Sequence, residues 1–286
     1  MAKRLILNAD DYGLTPDVNA AVDALFRGGY ITSASLMPPA CYAREALGSA
    51  IANGWDVGVH ISFTGYPPKY GFPGVSGGRS FLNADGVMHL RPEDYYAAQN
   101  KEESLAELRA QVEWFYTNGG SPANIDSHAG TVYGIAGEPM LFETFGICME
   151  KKLPFRLPRN LGFLKGYGGA VSASLAQFHA AAVAFCDQNG IGILDEMFTN
   201  HQPSAQIRDY EQLLQYYISV LDLVPDGVSE LFMHPVTDTG AADADAFGAE
   251  RRKRLWEFRI LQDERFRSAI TQRGIELVGW SHAFDE

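Results

Sequence analysis

The sequence predicts an α/β chain closing into a distorted TIM-like (β/α) barrel of seven or eight parallel strands. Three observations carry this. Short apolar runs alternate with longer helical patterns along the whole chain, as strand–helix units on a parallel sheet do. The length of 286 residues suits one such barrel, read as a single domain over 1–286. Acids and histidines recur where the strands end, and in a barrel those ends share the face on which active sites form. The alternative is an open doubly wound sheet. Against a dinucleotide fold, no Gly-x-Gly-x-x-Gly follows the first strand and no phosphate-binding glycine–lysine loop appears.

In chain order, Leu5-Ile6-Leu7 runs into Asn8-Ala9-Asp10-Asp11-Tyr12-Gly13, an apolar strand closed by two carboxylates. Thr15-Pro16-Asp17 reads as a helix start, and Val18, Val22, Leu25 and Phe26 recur at helical spacing until Gly28-Gly29. Ser33–Met37 is a strand, 40–52 a helix, and 56–61 a third strand carrying His60. The rhythm then breaks for an inserted loop at about 62–92, rich in glycine, proline and aromatic rings; a loop this long is commonly a lid or binding loop. Its rings suit either stacking on a sugar face or packing the loop onto the barrel. Helices follow at 102–118, 138–151, 170–188 and 207–222, with a long one over 249–273 that breaks before Arg265. The strands between them are 124–128, 155–158, 191–197, 228–233 and 275–279, and a glycine-rich turn runs to Gly169.

Composition narrows the partners. Hydrophobic residues make up 46%, ample for a sizeable core, and the net charge is −12, from 35 acids against 23 Lys and Arg. A nucleic-acid or anionic-membrane partner needs a basic face, and the only basic run, Arg251-Arg252-Lys253-Arg254, reads as a solvated helix face. Cys41, Cys148 and Cys186 make neither a disulfide framework nor a thiolate zinc site, which fits a reducing compartment. No signal peptide and no apolar stretch of about 18 residues is apparent, so the expectation is a cytoplasmic protein.

An isolated Asp-Asp after a strand more often caps or turns than reacts. Here Asp10 and Asp11 share their predicted position with His60, Asp126, His128, Arg156, Glu196 and His234, all at or near strand ends. Two histidines and one carboxylate suffice for an open metal site, and such donors suit zinc, manganese, iron or cobalt, with magnesium feasible given more oxygen and water. A bound divalent ion acidifies water and polarises a carbonyl, while a free carboxylate and a separate histidine handle protons. Adjacent strand residues point to opposite faces, so Asp10 and Asp11 are expected to do different jobs, and the strand must bend for both to reach one pocket.

The ordered motifs Asn8-Ala9-Asp10-Asp11-Tyr12-Gly13, Gly58-Val59-His60-Ile61, Asp126-Ser127-His128 and His234-Pro235 resemble those of the YdjC family, which includes chitooligosaccharide deacetylases and falls in the polysaccharide deacetylase superfamily. The resemblance extends to the helix at Arg251–Leu261. It implies a distorted (β/α) barrel and one divalent metal, zinc or magnesium first and manganese or cobalt next. Asp11, His60 and His128 would be the ligands, Asp10 the general base and His234 the acid at the leaving group. Asp126 would support a ligand or contact substrate; Arg156 would orient the base, bind substrate or form a structural ion pair. A homodimer is a family-level expectation. One position departs: where the family often has a second histidine two residues after the first, this chain has Gly130.

The expected activity is removal of acetyl groups from N-acetylated amino sugars or short oligosaccharides. Three other readings stay open at this stage. They are a metal-dependent phosphoesterase or other amidase, a metal-free glycosidase using Asp10 and Glu196, and a non-catalytic sugar-binding relative.

Overall fold

The structure, a computed structural model, describes residues 2–167, 172–238 and 244–285. Its elements run β1 (Lys3–Tyr12), α1 (Pro16–Arg27), β2 (Ser33–Leu36), α2 (Ala43–Asn53), β3 (Val57–Ile61), α3 (Pro92–Ala98), α4 (Lys101–Thr117), β4 (Ile125–Ser127), α5 (Leu141–Lys151), α6 (Ala173–Asn189), β5 (Glu196–Phe198), α7 (Tyr210–Val220), β6 (Gly227–Met233), α8 (Ala244–Phe247), α9 (Arg251–Gln262), α10 (Glu264–Gln272) and β7 (Glu276–Leu277). The strands form one curled parallel sheet in the order β4-β3-β2-β1-β6-β5, with β7 on β1. This is the distorted barrel expected from the alternating pattern.

β1 is the axis of the sheet. It is buried from Leu5 onward because it is covered on both faces, which is why it reads as a continuous apolar run rather than an alternating one. It pairs with β6 along Lys3–Ala9 and shares its other edge between β7 at Arg4–Leu5 and β2 further on. Thr15 caps α1 as predicted, its side chain accepting from Val18 N, with Pro16 in the first turn. The expected break in the long C-terminal helix falls at Asp263, whose carboxylate caps α10.

Several expected strands are shorter than their apolar runs. The segment 155–158 pairs through the isolated bridges Ile125↔Phe155 and Pro158↔Leu194, which carry the sheet's curl from β4 toward β5. Of the run 191–197 only the end is strand, so Asp195 and Glu196 stand at its start and not at its C-terminal end. The final strand is a two-residue pairing with β1. Gly169 and the expected start of a helix at Ala170 lie outside the described residues; the helix itself is seen from Ala173.

The inserted segment is anchored from α4, with a helix, α3, following at its end. Glu107 accepts from Val75 N and Ser76 N, and Gln111 pairs with Ser62 through both its amide groups, Ser62 N to Oε1 at 2.8 Å and Nε2 to Ser62 O at 2.7 Å. Phe63, Tyr70, Phe72 and Phe81 are buried, so packing is the role of these rings. Tyr66 alone among the loop's early aromatic residues turns toward the strand ends, where it meets Asp11. Gln111→Ala leaves a buried N–H and a buried C=O of Ser62 without partners, each worth about 1–3 kcal/mol. Urea unfolding should show a loss of at least about 2 kcal/mol; a loss below roughly 0.5 kcal/mol would mean the loop is held elsewhere.

Candidate metal centre and active site

Asp10 and Asp11 reach one pocket because β1 breaks between Ala9 and Tyr12. Ala9 pairs with Ala34 and Tyr12 with Leu36, so three steps along β1 match two along β2, and one residue is extra. Asp11 takes up the irregularity in the left-handed region, at φ 69°. Aspartate tolerates this conformation better than most residues, at a cost on the order of 1–3 kcal/mol. The bend required of the strand is thus present, at the second carboxylate.

Asp11, His60 and His128 converge. Asp11 Oδ1 lies 3.6 Å from His60 Nε2 and 3.3 Å from His128 Nδ1, and the two ring nitrogens are 3.3 Å apart. Asp11 Oδ1 is buried with no hydrogen-bond partner, a costly state for an ionised oxygen unless a cation faces it. Three donors around a tetrahedral ion with bonds of about 2.0–2.1 Å sit roughly 3.4 Å apart, so the triad fits a divalent metal. Burial opposes the charged form of His60, but Asp126, Asp10 and Asp11 outweigh it and raise its pKa, the signature of a site whose field favours a cation.

Asp126 fixes His60. Its Oδ1 is 2.5 Å from His60 Nδ1, and since a carboxylate only accepts, Nδ1 carries the proton and Nε2 is left to face the triad. Its Oδ2 receives Ser35 Oγ at 2.5 Å and Asn124 Nδ2 at 3.2 Å. Asp126 is fully buried, and its contact is with His60 and not with the cavity surface. His128 is held by unusual backbone, with Ala129 at φ 49° and Gly130 at φ 67° immediately after it. A Cβ on Gly130 would come 2.1 Å from Ile135 Cδ1, so Ile135 packs where a larger side chain would begin.

Asp10 stands beside the triad, its Oδ2 3.9 Å from both His60 Nε2 and His234 Nε2. Burial would raise its pKa, yet Arg156, His60 and His234 together outweigh it and bring the value down to about 2. Arg156 grips both carboxylate oxygens of Asp10, NH1 to Oδ2 at 3.0 Å and NH2 to Oδ1 at 2.9 Å, and is also ion-paired to Asp126 and Glu230. Arg156 itself is set by Glu230, whose Oε2 is 2.7 Å from Nε, and by Tyr133, whose hydroxyl donates to its carbonyl. Burial raises Glu230 to about 7 against the opposing pull of Arg156. Sequence reading missed Glu230; its signal is an acid inside the largely apolar strand run Val228–Met233.

The cavity is about 160 Å³ and is lined by Asp10, His60, His128, Arg156 and His234, with Asn200 and His201 from the loop after β5. Burial lowers the pKa of His234 against the opposing pull of Asp11 and Asp10. Glu196 is not brought to this site: its Oε2 accepts from Asn160 and it does not line the cavity, because it sits at the start of β5. The run Arg251–Arg254 is not a solvated face either. Arg252 donates to Ser204 O and Ile207 O, Lys253 to Asn200 O, and Arg254 NH1 to Asp11 Oδ2 at 2.8 Å. A run of cations on one helix reads as solvent-facing by composition, and only the fold shows that loops close over it.

Among the described residues no helix is long and apolar enough to cross a membrane. Curated relatives include carbohydrate deacetylases from Geobacillus stearothermophilus, 26% identical over 97% of each chain, and from Enterococcus faecalis, 25% identical over 97% of each. A crystal structure from Enterococcus faecalis V583, provisionally described as a cellobiose-phosphate cleavage protein, superposes with a TM-score of 0.76 at 25% identity, covering 98% of each chain. The profile of the YdjC-like proteins matches residues 4–272. With these motifs in order on one curled parallel sheet, and that profile spanning nearly all of it, the chain belongs to the YdjC-like protein family.

Proposed function

We infer that this protein is a divalent-metal-dependent carbohydrate N-deacetylase, hydrolysing the acetamide of an N-acetylated amino sugar or short oligosaccharide. The observation carrying this reading is the convergence of Asp11 Oδ1, His60 and His128, with a separate carboxylate, Asp10, 3.9 Å from His60 and from His234. The names of the full-length relatives supply the sugar. A cavity of about 160 Å³ suits one small group such as an acetamide. Two imidazoles and one carboxylate are a donor set that suits zinc.

When bound, a divalent ion polarises the amide carbonyl and acidifies water. Arg156, with His60 and His234, favours the ionised form of Asp10, the form that accepts a proton from the attacking water. His234, 3.9 Å from Asp10, takes that proton on and delivers it to the departing amine nitrogen. One proton is thus passed from water to amine, and the remaining hydroxyl completes the acetate. Arg156 and Glu230 keep the Asp10 oxygens in place during the transfer.

Glu196 does not line the cavity with Asp10 and is bonded to Asn160, so it does not supply the second carboxylate of a glycosidase. Asp10→Asn should lower kcat by about 10²–10⁴-fold on N-acetyl chitooligosaccharides with metal content unchanged. Acetate release near the parent rate in that variant would remove Asp10 as the base. His60→Ala and His128→Ala should each emerge with little bound metal by elemental analysis; stoichiometric metal in both would refute the ligand set. Chelation should abolish acetate release and metal restore it, whereas Glu196→Gln should leave it near the parent level. Reducing ends released in place of acetate would point back to a glycosidase.

A further inference from the structure

Asp11 has two oxygens in different company. Oδ1 faces the histidines and has no hydrogen-bond partner. Oδ2 accepts from Arg254 NH1 at 2.8 Å and from Tyr66 OH at 2.8 Å, and Arg254 NH2 closes the ring by reaching Tyr66 OH at 3.1 Å. The guanidinium lies 4.3 Å from the ring centre of Phe247 and 6.0 Å from that of Tyr66. The three groups come from the end of β1, the inserted loop and α9, and none of them lines the cavity.

Carboxylate torsions are broad, so an unrestrained Asp11 would turn either oxygen, or both, toward a cation. Two donors on Oδ2, one of them charged, remove that freedom. The donor is itself carried on a fixed support, because Arg252 and Lys253 tie the start of α9 to the carbonyls of Ser204, Ile207 and Asn200. A guanidinium suits the task better than an ammonium, since its fork meets two acceptors while its face rests on Phe247.

We propose that Arg254, with Tyr66, is a positioning residue that pins Asp11 Oδ2 and so restricts the carboxylate to one metal-ligating oxygen. This rests on the metal reading above. Arg254 acts through Asp11 and touches no substrate, so it governs how tightly and with what geometry the cation is held. Charge alone would act in the opposite sense: removing a cation next to a metal site should strengthen binding of a divalent ion.

The test is zinc binding to metal-free full-length parent, Arg254→Met, Arg254→Lys and Tyr66→Phe by titration calorimetry, with the visible spectrum of the cobalt-loaded forms reporting coordination. Arg254→Met should bind zinc roughly 10–100-fold more weakly than the parent. Arg254→Lys should recover part of that loss and Tyr66→Phe should lose less. Cobalt in Arg254→Met should show the weaker absorption of a higher-coordinate site as Asp11 turns both oxygens inward. Thermal melting of the metal-free proteins checks that the variants fold; should Arg254→Met fail to fold, Arg254→Lys and Tyr66→Phe carry the test. Zinc affinity equal to or above the parent's in the folded Arg254 variants, with an unchanged cobalt spectrum, overturns the proposal alone. A folded parent that binds no divalent ion overturns the metal reading and this proposal together.

Discussion

Two neighbouring carboxylates cannot both face one pocket from a regular strand, and the site depends on β1 ceasing to be regular between them. The extra residue against β2 and the left-handed Asp11 turn what would be opposite faces into one. The strain is local, and β1 is paired to β6 up to Ala9 and walled in on both faces, so the surrounding sheet holds the bend in place. From that bend follows the division between Asp11, whose Oδ1 meets the histidines, and Asp10, which stands aside.

Burying this many charges is costly unless each is matched. The structure matches them through two arginines that reach the strand ends from distant parts of the chain. Arg156 spans Asp10, Asp126 and Glu230, and Arg254 takes the far oxygen of Asp11. Asp10 is thereby held as a carboxylate at about 2, while Glu230, more deeply enclosed, rises to about 7. The same pairings that offset burial also aim the groups, because a guanidinium fixes both distance and direction. Asp126 does likewise for His60 by selecting the tautomer that leaves Nε2 free.

The loops divide between closing the fold and shaping the site. Most of the inserted segment's aromatic rings are core, and the segment is tied down by Glu107 and Gln111; Tyr66 is the member that reaches a site residue. The turn after His128 is reshaped by Gly130 and filled by Ile135, so the position expected of a second histidine is occupied by hydrocarbon. That change leaves the Asp11–His60–His128 triad intact.

The sequence by itself determined the α/β rhythm, the capped start of α1, the break at Asp263 and the cluster of Asp10, Asp11, His60, Asp126, His128, Arg156 and His234, because strand ends and helix caps are local features. It misjudged Glu196, since an apolar run does not reveal how much of it pairs as strand, and the placement of an acid depends on that. It overlooked Glu230 and Arg254, each of which looks misplaced or solvated until its partner arrives from far along the chain; Arg254 and Asp11 are 243 residues apart. Only the tertiary structure decided those pairings, because a buried charge is tolerated or excluded by its neighbours in space, and no local pattern encodes them.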